Sequence, residues 1–213
     1  MQGLLGKKIG MTAVFGPEGQ QIPVTVIEVG PCVVLQRKTR EQDGYEAFKL
    51  GFGVQKLSRL TKPWIGQFKA AGTAPQQFMQ EFAVESGDTC KAGDTLTAAI
   101  FEGVGFVDVT GVTKGRGFAG VVRRYRMSGG PLTHGGHSKR RVGSIGCRTS
   151  PGAVHKGKRM PGHMGNVRVT QQNLKVVQVR VAENLLLVGG AVPGPNGGLV
   201  MVRRALKKVA KAS

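Results

Sequence analysis

The sequence predicts a mainly β fold of the barrel or sandwich type, interrupted by one long irregular segment. Short apolar runs rich in Val, Ile and Thr recur along the chain, and Gly, Pro and Asn bound them. Helical periodicity is weak, which also favours an all-β body. The strand pattern stops after about Tyr125 and resumes near Asn166, within the most basic part of the chain.

The predicted strands begin with a hairpin, in which 11–15 is joined to 22–29 by a turn at 16–19. Further runs typical of strands are 32–36, 47–52, 95–101, 106–112, 166–170, 174–181, 185–188 and 199–202. Helical patterns are confined to 65–71 and the basic tail after Arg203. The uncharged stretch 184–202 is as long as a membrane span, but its Gly and Pro residues favour a hairpin that turns at Asn196-Gly197.

The formal charge of +19 is unevenly placed along the 213 residues. Residues 1–108 carry 11 basic and 11 acidic side chains, whereas 109–182 carry 15 basic side chains and no acidic one. Residues 183–213 add five basic side chains against Glu183. Because ordinary solvated surfaces mix both signs, this acid-free stretch indicates contact with a polyanion. Nucleic acid is the leading candidate, and an anionic membrane surface is the second.

Residues 126–165 combine this charge with a composition that does not build a core. They include ten Gly, three Pro, eight Lys or Arg and all four His of the chain, but no aromatic residue. Such a segment buries too little apolar area to offset its ordering entropy. Long irregular loops in compact domains are usually functional, so we expect a partner that supplies both countercharge and order.

Two glycine-rich motifs resemble nucleotide-binding loops but lack the residues that such sites need. A G-x-G-x-x-G motif begins at Gly115, yet no acid lies between Asp108 and Glu183 to bind a ribose. Residues 152–158 match the start of a phosphate-binding loop, but Arg159 stands where a Ser or Thr should hold magnesium. Glycines flanked by cations instead suit close approach of the backbone to RNA phosphates.

The Cys and His residues favour neither a metal site nor a catalytic site. Cys32, Cys90 and Cys147 lack CxxC spacing, which indicates free thiols in a reducing compartment. The four His residues match no structural zinc spacing and lie among cations. The basic region also lacks the carboxylates that catalysis usually employs. The N-terminus has no apolar run typical of a signal peptide, so we expect a soluble, cytoplasmic protein.

One set of residues forms a recognisable pattern around the G-x-G motif: Phe101, Asp108, Gly111, Thr113, Gly115-Arg116-Gly117, Gly120 and Arg124. In order and spacing, this pattern resembles that of the L-three family of large-subunit ribosomal proteins. The bacterial form is indicated by 5–12 and 22–28, with further matches at 143–146, 150–152, 157–160, 165–166, 184–188 and 190–194. The resemblance covers nearly the whole chain.

The resemblance implies a translation-factor-like β-barrel body with a small α+β insertion and a long, basic, irregular extension loop. On this sequence the body would comprise 1–125 plus 166–213, with the insertion at about 55–95 and a basic C-terminal tail at 203–213. The loop would comprise 126–165. Proteins of this family bind 23S rRNA directly and early in assembly of the 50S subunit. Their loop extends towards the peptidyl-transferase centre, and they are not enzymes.

We therefore expect a structural constituent of the large subunit, located in the cytoplasmic ribosome. Its expected partners are 23S rRNA and neighbouring large-subunit proteins. We expect no cofactor, protein-ligated metal, small-molecule substrate, membrane contact or homo-oligomer; magnesium would be bound by the rRNA.

The residues expected to contact rRNA are two N-terminal lysines together with cations, glycines and polar side chains of the acid-free stretch. They are Lys7, Lys8, Lys114, Gly115, Arg116, Gly117, Arg123, Arg124, Tyr125, Arg126, His134, His137, Lys139, Arg140, Arg141, Gly143, Arg148, Thr149, Ser150, Gly152, Lys156, Lys158, Arg159 and Arg168. The resemblance puts Arg148, Thr149 and Ser150 nearest the catalytic RNA.

Two positions depart from the pattern of the family. Many bacterial relatives carry Trp where this chain has Tyr125, which keeps an aromatic ring but lacks the indole N–H. Some relatives carry a methylated Gln at the loop tip, where this chain has Thr149. That modification is therefore excluded here, and any tip contact made by a Gln amide is absent.

Overall fold

The structure, a computed structural model of the chain, describes residues 2–85, 88–146 and 148–208. Within them the chain forms two compact units. The first unit is drawn from 1–112 and 168–213, and the second unit is Thr113–Val167. The segment 126–165, predicted as a loop, lies inside the second unit.

Strands are the main regular structure of the described residues. The strands are β1 (Gly3–Phe15), β2 (Gln21–Val29), β3 (Cys32–Lys38), β4 (Ala47–Val54), β5 (Gln76–Ala83), β6 (Thr95–Leu96), β7 (Phe106–Val112), β8 (Phe118–Ala119), β9 (Gly162–His163), β10 (Arg168–Arg180), β11 (Leu185–Gly189) and β12 (Leu199–Arg204). The α-helices are α1 (Arg40–Asp43), α2 (Lys62–Ala70) and α3 (Val121–Tyr125). Short 3-10 turns occur at Leu57–Arg59, Ala98–Phe101 and Val181–Glu183.

Six strands of the first unit close into an antiparallel barrel in the order β1, β12, β7, β10, β11, β2. Closure pairs every strand on both sides, which removes the exposed edges of an open sheet. The long strands β1 and β10 bend at irregularities in register, between Lys8 and Gly10 and between Gln171 and Leu174. Such bulges add the local twist that a strand needs to follow a barrel wall.

One continuous apolar core fills the first unit. In the barrel, Leu4, Ile27, Val107 and Leu186 are fully buried. A second antiparallel sheet, in the order β5, β4, β3, β6, adds buried residues such as Phe48 to the same cluster. Each fully buried branched or aromatic side chain stabilises the fold by about 1.5–3 kcal/mol relative to exposure. The barrel and the second sheet share one apolar core, so each sheet contributes to the stability of the other.

A buried carboxylate fastens three strands of the barrel together. Asp108, on β7, has a side chain that is 2% exposed and accepts a hydrogen bond from the backbone N–H of Asn173 at 2.9 Å. A second N–H, from Leu206, lies at 3.5 Å, as does the guanidinium of Arg203 on β12. Asn173 adopts φ +58° at the β10 bulge. The Asp108 carboxylate thus holds this left-handed residue and the end of β12 against β7.

The structure confirms the mainly β fold with a barrel and corrects several local predictions. The hairpin predicted for 184–202 is wrong, because β11 pairs with β10 and β2 whereas β12 pairs with β1 and β7. The strand predicted for 95–101 is only the short β6, followed by a 3-10 turn. The runs 166–170 and 174–181 belong to one bulged strand, β10, which begins at Arg168.

Two further differences concern the insertion and the tail. Strand β5 escapes the sequence pattern, because it carries three Gln and a Glu among its apolar residues. The helix expected after Arg203 does not form up to residue 208, and the rest of that prediction, 209–213, lies outside the described residues. Across the part of the chain that the structure describes, no helix is long and apolar enough to cross a membrane.

Candidate nucleic-acid interface

The second unit begins and ends in a two-stranded ribbon, 113–119 and 162–167, which we call the neck. The backbone N–H of Thr113 donates to the Val167 carbonyl at 3.0 Å, and that of Arg116 donates to Met164 at 2.9 Å. The N–H of Met164 donates back to Gly117 at 2.9 Å, and β8 pairs with β9 beyond it. The neck therefore gives the start and the end of an otherwise irregular segment a fixed register.

Gly165 allows the two neck strands to approach closely. Its φ is +76°, and a Cβ at this position would overlap the carbonyl oxygen of Lys114. The same Cβ would lie 3.0 Å from the backbone nitrogen of Arg116. Any side chain here would strain the backbone and push the strands apart, so the Gly165-Asn166 motif has a local structural reason.

Helix α3 follows the neck and carries a cation–aromatic cluster. The helix ends where Arg126 adopts φ +59°, and the Arg124 guanidinium donates to the Met160 carbonyl oxygen at 2.8 Å. The guanidinium carbons of Arg124 and Arg159 lie 5.0 and 5.8 Å from the centroid of the Tyr125 ring. This neck cluster of Arg124, Tyr125 and Arg159 ties the helix to the returning chain.

Between α3 and β9 the described chain has neither helix nor strand. Isolated turns occur, such as the hydrogen bond from Gly130 N–H to the Lys139 carbonyl at 3.2 Å and that from Lys158 N–H to His155 at 3.2 Å. In the second unit, only Ala119 and Val121 are buried among the described residues. The contacts within this unit are mainly backbone hydrogen bonds and the neck cluster, and the unit has almost no apolar core.

The second unit presents one sign of charge. Residues 113–167 contain twelve Lys or Arg and no Asp or Glu. None of these cations forms an ion pair within the described residues. A surface of this kind attracts a polyanion over about a Debye length and gives the strong salt dependence typical of phosphate contacts.

Most of the residues predicted to contact rRNA are exposed. These are Lys7, Lys114, Gly115, Arg116, Gly117, Arg123, Arg126, His134, His137, Lys139, Arg140, Arg141, Gly143, Arg148, Thr149, Ser150, Gly152, Lys156, Lys158, Arg159 and Arg168. All of them belong to the second unit except Lys7 and Arg168, which lie on barrel strands. Arg124 and Tyr125 are half-buried in the neck cluster.

Lys8 differs from the other predicted contacts because it is buried in the barrel. Its residue is 7% exposed, and its ammonium donates to the carbonyl oxygens of Val192 at 2.8 Å and Gly194 at 3.3 Å. An ammonium bound in this way holds the 192–194 segment of the barrel. No pattern in the sequence distinguishes Lys8 from the adjacent, exposed Lys7.

The sequence pattern did not reveal the neck cluster, because Tyr125 and Arg159 are far apart along the chain. The histidines and cysteines form no cluster of three or more potential metal ligands within 2–85, 88–146 and 148–208. Cys147 lies outside these residues, whereas Cys32 and Cys90 are free thiols.

Comparison with known proteins identifies the family. The family model for ribosomal protein L3 matches residues 71–184. The chain is 49% identical over 208 residues to large ribosomal subunit protein uL3 of Brachyspira hyodysenteriae, covering 98% of this chain and 96% of the relative.

Two further relatives with the same name match over nearly the full chain. The protein of Pelotomaculum thermopropionicum is 51% identical over 206 residues, covering 97% of this chain and 98% of the relative. That of Corynebacterium jeikeium is 50% identical over 213 residues, covering 100% of this chain and 98% of the relative. With a barrel body and an acid-free second unit, the chain belongs to the ribosomal protein L3 family and is a structural protein of the ribosome, not an enzyme.

Proposed function

We propose that this protein, as a structural constituent of the large subunit in cytoplasmic ribosomes, binds 23S rRNA directly through its second unit. In this proposal the loop at 126–165 extends into the RNA towards the peptidyl-transferase centre, and early binding nucleates assembly of the subunit. The body at 1–125 plus 166–213 carries the loop and contacts neighbouring large-subunit proteins. The observation that carries the proposal is a unit with twelve cations, no carboxylate and almost no core.

The physical argument combines charge with folding. A segment that buries so few apolar side chains gains little from ordering itself, so its fixed shape needs an external partner. Twelve like charges in 55 residues also repel one another until counterions or phosphates neutralise them. Folded rRNA would supply both the countercharge and the ordering.

The roles of the side chains follow from their exposure. Exposed cations such as Arg116, Arg123 and Arg148 are suited to donate to phosphate oxygens. Ser and Thr hydroxyls are suited to phosphates and to the ribose 2′-hydroxyl, and glycines permit close approach of the backbone. Lys8 is set aside from this interface because it is buried and its ammonium binds carbonyl oxygens. Arg124 stays in the proposed interface, since only one of its five N–H donors is used in the hydrogen bond to Met160.

Salt titration of rRNA binding tests the proposal. If about ten phosphates are neutralised, the log–log plot of affinity against salt should have a slope of about −7 to −9. Binding of the full chain to 23S rRNA would be measured across salt concentrations, with DNA of equal length and anionic vesicles as competitors. A shallow slope, or equal affinity for all three polyanions, would contradict specific rRNA binding.

A further inference from the structure

A second acid-free stretch lies in the first unit, outside the proposed interface. Residues 47–80 contain Lys49, Lys56, Arg59, Lys62 and Lys69 but no Asp or Glu, whereas Glu46 and Glu81 flank the stretch. The even balance of charge over 1–108 conceals this local imbalance. Part of this stretch, residues 55–70, connects β4 to the end of α2, and we call it the basic insert.

The cations of the basic insert are free to meet an external partner. Lys56, Arg59, Lys62 and Lys69 are all exposed, and none forms an ion pair within the described residues. Lys49, by contrast, donates to the side chain of Gln67 at 2.8 Å. On α2, residues 62, 66 and 69 share one face, because they are spaced by four and three positions. Lys62 and Lys69 therefore project from the same side, with Gly66 between them.

An exposed indole lies on the other face of α2, in the same cleft as Arg59. Trp64 is 39% exposed and packs at a centroid distance of 6.4 Å on Phe68, which is 1% exposed. Its ring therefore has a rigid apolar support on one side and remains accessible on another. Trp64 lines a shallow cleft of about 240 Å³ together with Gln55, Arg59, Leu60, Thr61 and Gln77.

This set of groups matches the chemistry of an unpaired nucleotide. An accessible aromatic ring stacks on any base, a guanidinium can stack or bind phosphate, and amide and hydroxyl groups hydrogen-bond to base edges. We propose that the basic insert is a second RNA-contact surface, which holds an unpaired base on Trp64 and its phosphate on Arg59, while Lys56, Lys62 and Lys69 bind phosphates farther along the same RNA strand. This inference rests on the proposed function only in naming 23S rRNA as the RNA that is bound.

A neighbouring protein is the competing occupant, because Val54 and Leu57 are also exposed, at 81% and 59%. The 34 residues of this stretch contain no carboxylate, which favours binding of a polyanion, because carboxylates would repel it. Contact with an apolar protein surface does not explain the missing carboxylates. The accessible indole in the same cleft as Arg59 also suits stacking with a nucleobase. The observations therefore favour RNA.

The fluorescence of Trp64 reports on this surface directly, since it is the single Trp of the chain. We expect 23S rRNA, and an unstructured 12-nucleotide oligouridylate at higher concentration, to quench Trp64 and protect it from acrylamide. A 12-base-pair RNA duplex should quench it much less. Trp64→Phe should keep rRNA affinity, whereas Trp64→Leu should weaken oligouridylate binding at this site by roughly fivefold to a hundredfold.

Charge variants provide the second measurement. The triple variant Lys56→Gln, Lys62→Gln, Lys69→Gln should reduce the steepness of the salt slope for 23S rRNA by about 2. The matched control is Arg40→Gln, Arg180→Gln, Lys91→Gln, which removes the same charge from exposed positions near carboxylates. The control should change the slope by much less.

The outcomes separate this proposal from the proposed function. Steep salt-dependent rRNA binding with unchanged Trp64 fluorescence and an unaltered slope in the triple variant would overturn the second surface and leave the first proposal intact. Loss of rRNA binding altogether would overturn both. Protection of Trp64 only in assembled subunits, and not by rRNA alone, would assign the surface to a protein neighbour and overturn our inference.

Discussion

Burial separates the charged side chains that hold the fold from those available to a partner. Lys8, Asp108 and Arg124 all belong to motifs that resemble the family pattern, yet the charged group of each binds backbone atoms of this protein. Arg116 and Arg148 belong to the same acid-free stretch but are exposed. Motif membership alone therefore does not identify an RNA contact.

Replacing Asp108 by Ala should destabilise the protein. The variant loses charge-assisted hydrogen bonds and leaves the N–H of Asn173 without its acceptor, which should cost about 2–3 kcal/mol of unfolding free energy. Urea unfolding of the RNA-free chain measures the loss. Glu102→Ala is the control, because that carboxylate is exposed and should matter little. Equal stability of the two variants would contradict the bridging role of Asp108.

The buried thiol of Cys32 predicts a pH dependence of stability. Desolvation by burial raises the pKa of Cys32 to about 12. In the folded state the thiol donates a 3.3 Å hydrogen bond to the Leu5 carbonyl oxygen. The unfolded thiol ionises near its ordinary pKa of 9.0, so the stabilisation is complete below pH 9 and is lost as the pH rises towards 12.

Urea unfolding at several pH values tests this prediction. Between pH 9 and 12, the unfolding free energy of the wild type should fall more steeply than that of a Cys32→Ala variant, by up to about 1.4 kcal/mol per pH unit. The comparison is of slopes, because the variant is less stable at every pH on account of the cavity it creates. Parallel curves for the two proteins would show that the thiol ionises equally in both states.

Among the elements of the fold, the neck turns an irregular sequence into an ordered one. The ribbon fixes the register of 113–119 against 162–167, and the neck cluster stacks two guanidinium groups on Tyr125. A tyrosine ring suffices for this contact, which uses the face of the ring and not an indole N–H. The departure from Trp at this position is thus compatible with the local structure.

The variant Arg124→Lys should loosen the neck. Lysine has no guanidinium, so the variant loses the contact with the Tyr125 ring and the hydrogen bond to the Met160 carbonyl. We expect the neck to lose about 1–3 kcal/mol of local stability. Hydrogen exchange of the neck amides in the RNA-free chain should accelerate accordingly. Arg123→Lys is the matched control, because Arg123 is exposed on the same helix. Equal exchange rates in both variants would contradict the clamp.

Strands were predictable from sequence where apolar residues form continuous or alternating runs. The prediction for β7 has the correct ends, and that for β2 differs by one residue. Strand prediction failed at β5, where Gln residues mask the apolar alternation, and at 95–101, where an apolar run forms a 3-10 turn. Pairing of β11 and β12 could not be predicted, because nothing local distinguishes a hairpin from two strands in a closed barrel.

The molecule as a whole keeps its core and most of its basic charge in different units. The buried apolar cluster lies entirely within residues of the first unit. The second unit holds twelve of the 31 Lys and Arg residues and no acid. Stability and the proposed RNA contact should therefore respond to different mutations.

Excising the loop tests this separation. Replacement of residues 128–160 by a short Gly-Ser linker should leave the thermal unfolding of the first unit nearly unchanged. The excision removes seven cations, so the salt slope for 23S rRNA should become less steep by about 5–6. Calorimetry and the salt titration measure the two effects. Unfolding of the first unit in this variant would contradict independent stability.

The sequence alone determined the mainly β character, the acid-free stretch and the family resemblance, because these depend on composition and on the order of residues along the chain. Only the tertiary structure decided that Lys8 and Arg124 bind carbonyl oxygens, that Asp108 bridges strands, and that Trp64 lies exposed beside Arg59. Each of these depends on which residues meet in space. Asp108, Lys8 and Arg124 bind groups that are far away in the sequence, and no local pattern encodes those contacts. The exposure of Trp64 depends on what packs around α2, which the sequence of the helix alone does not show.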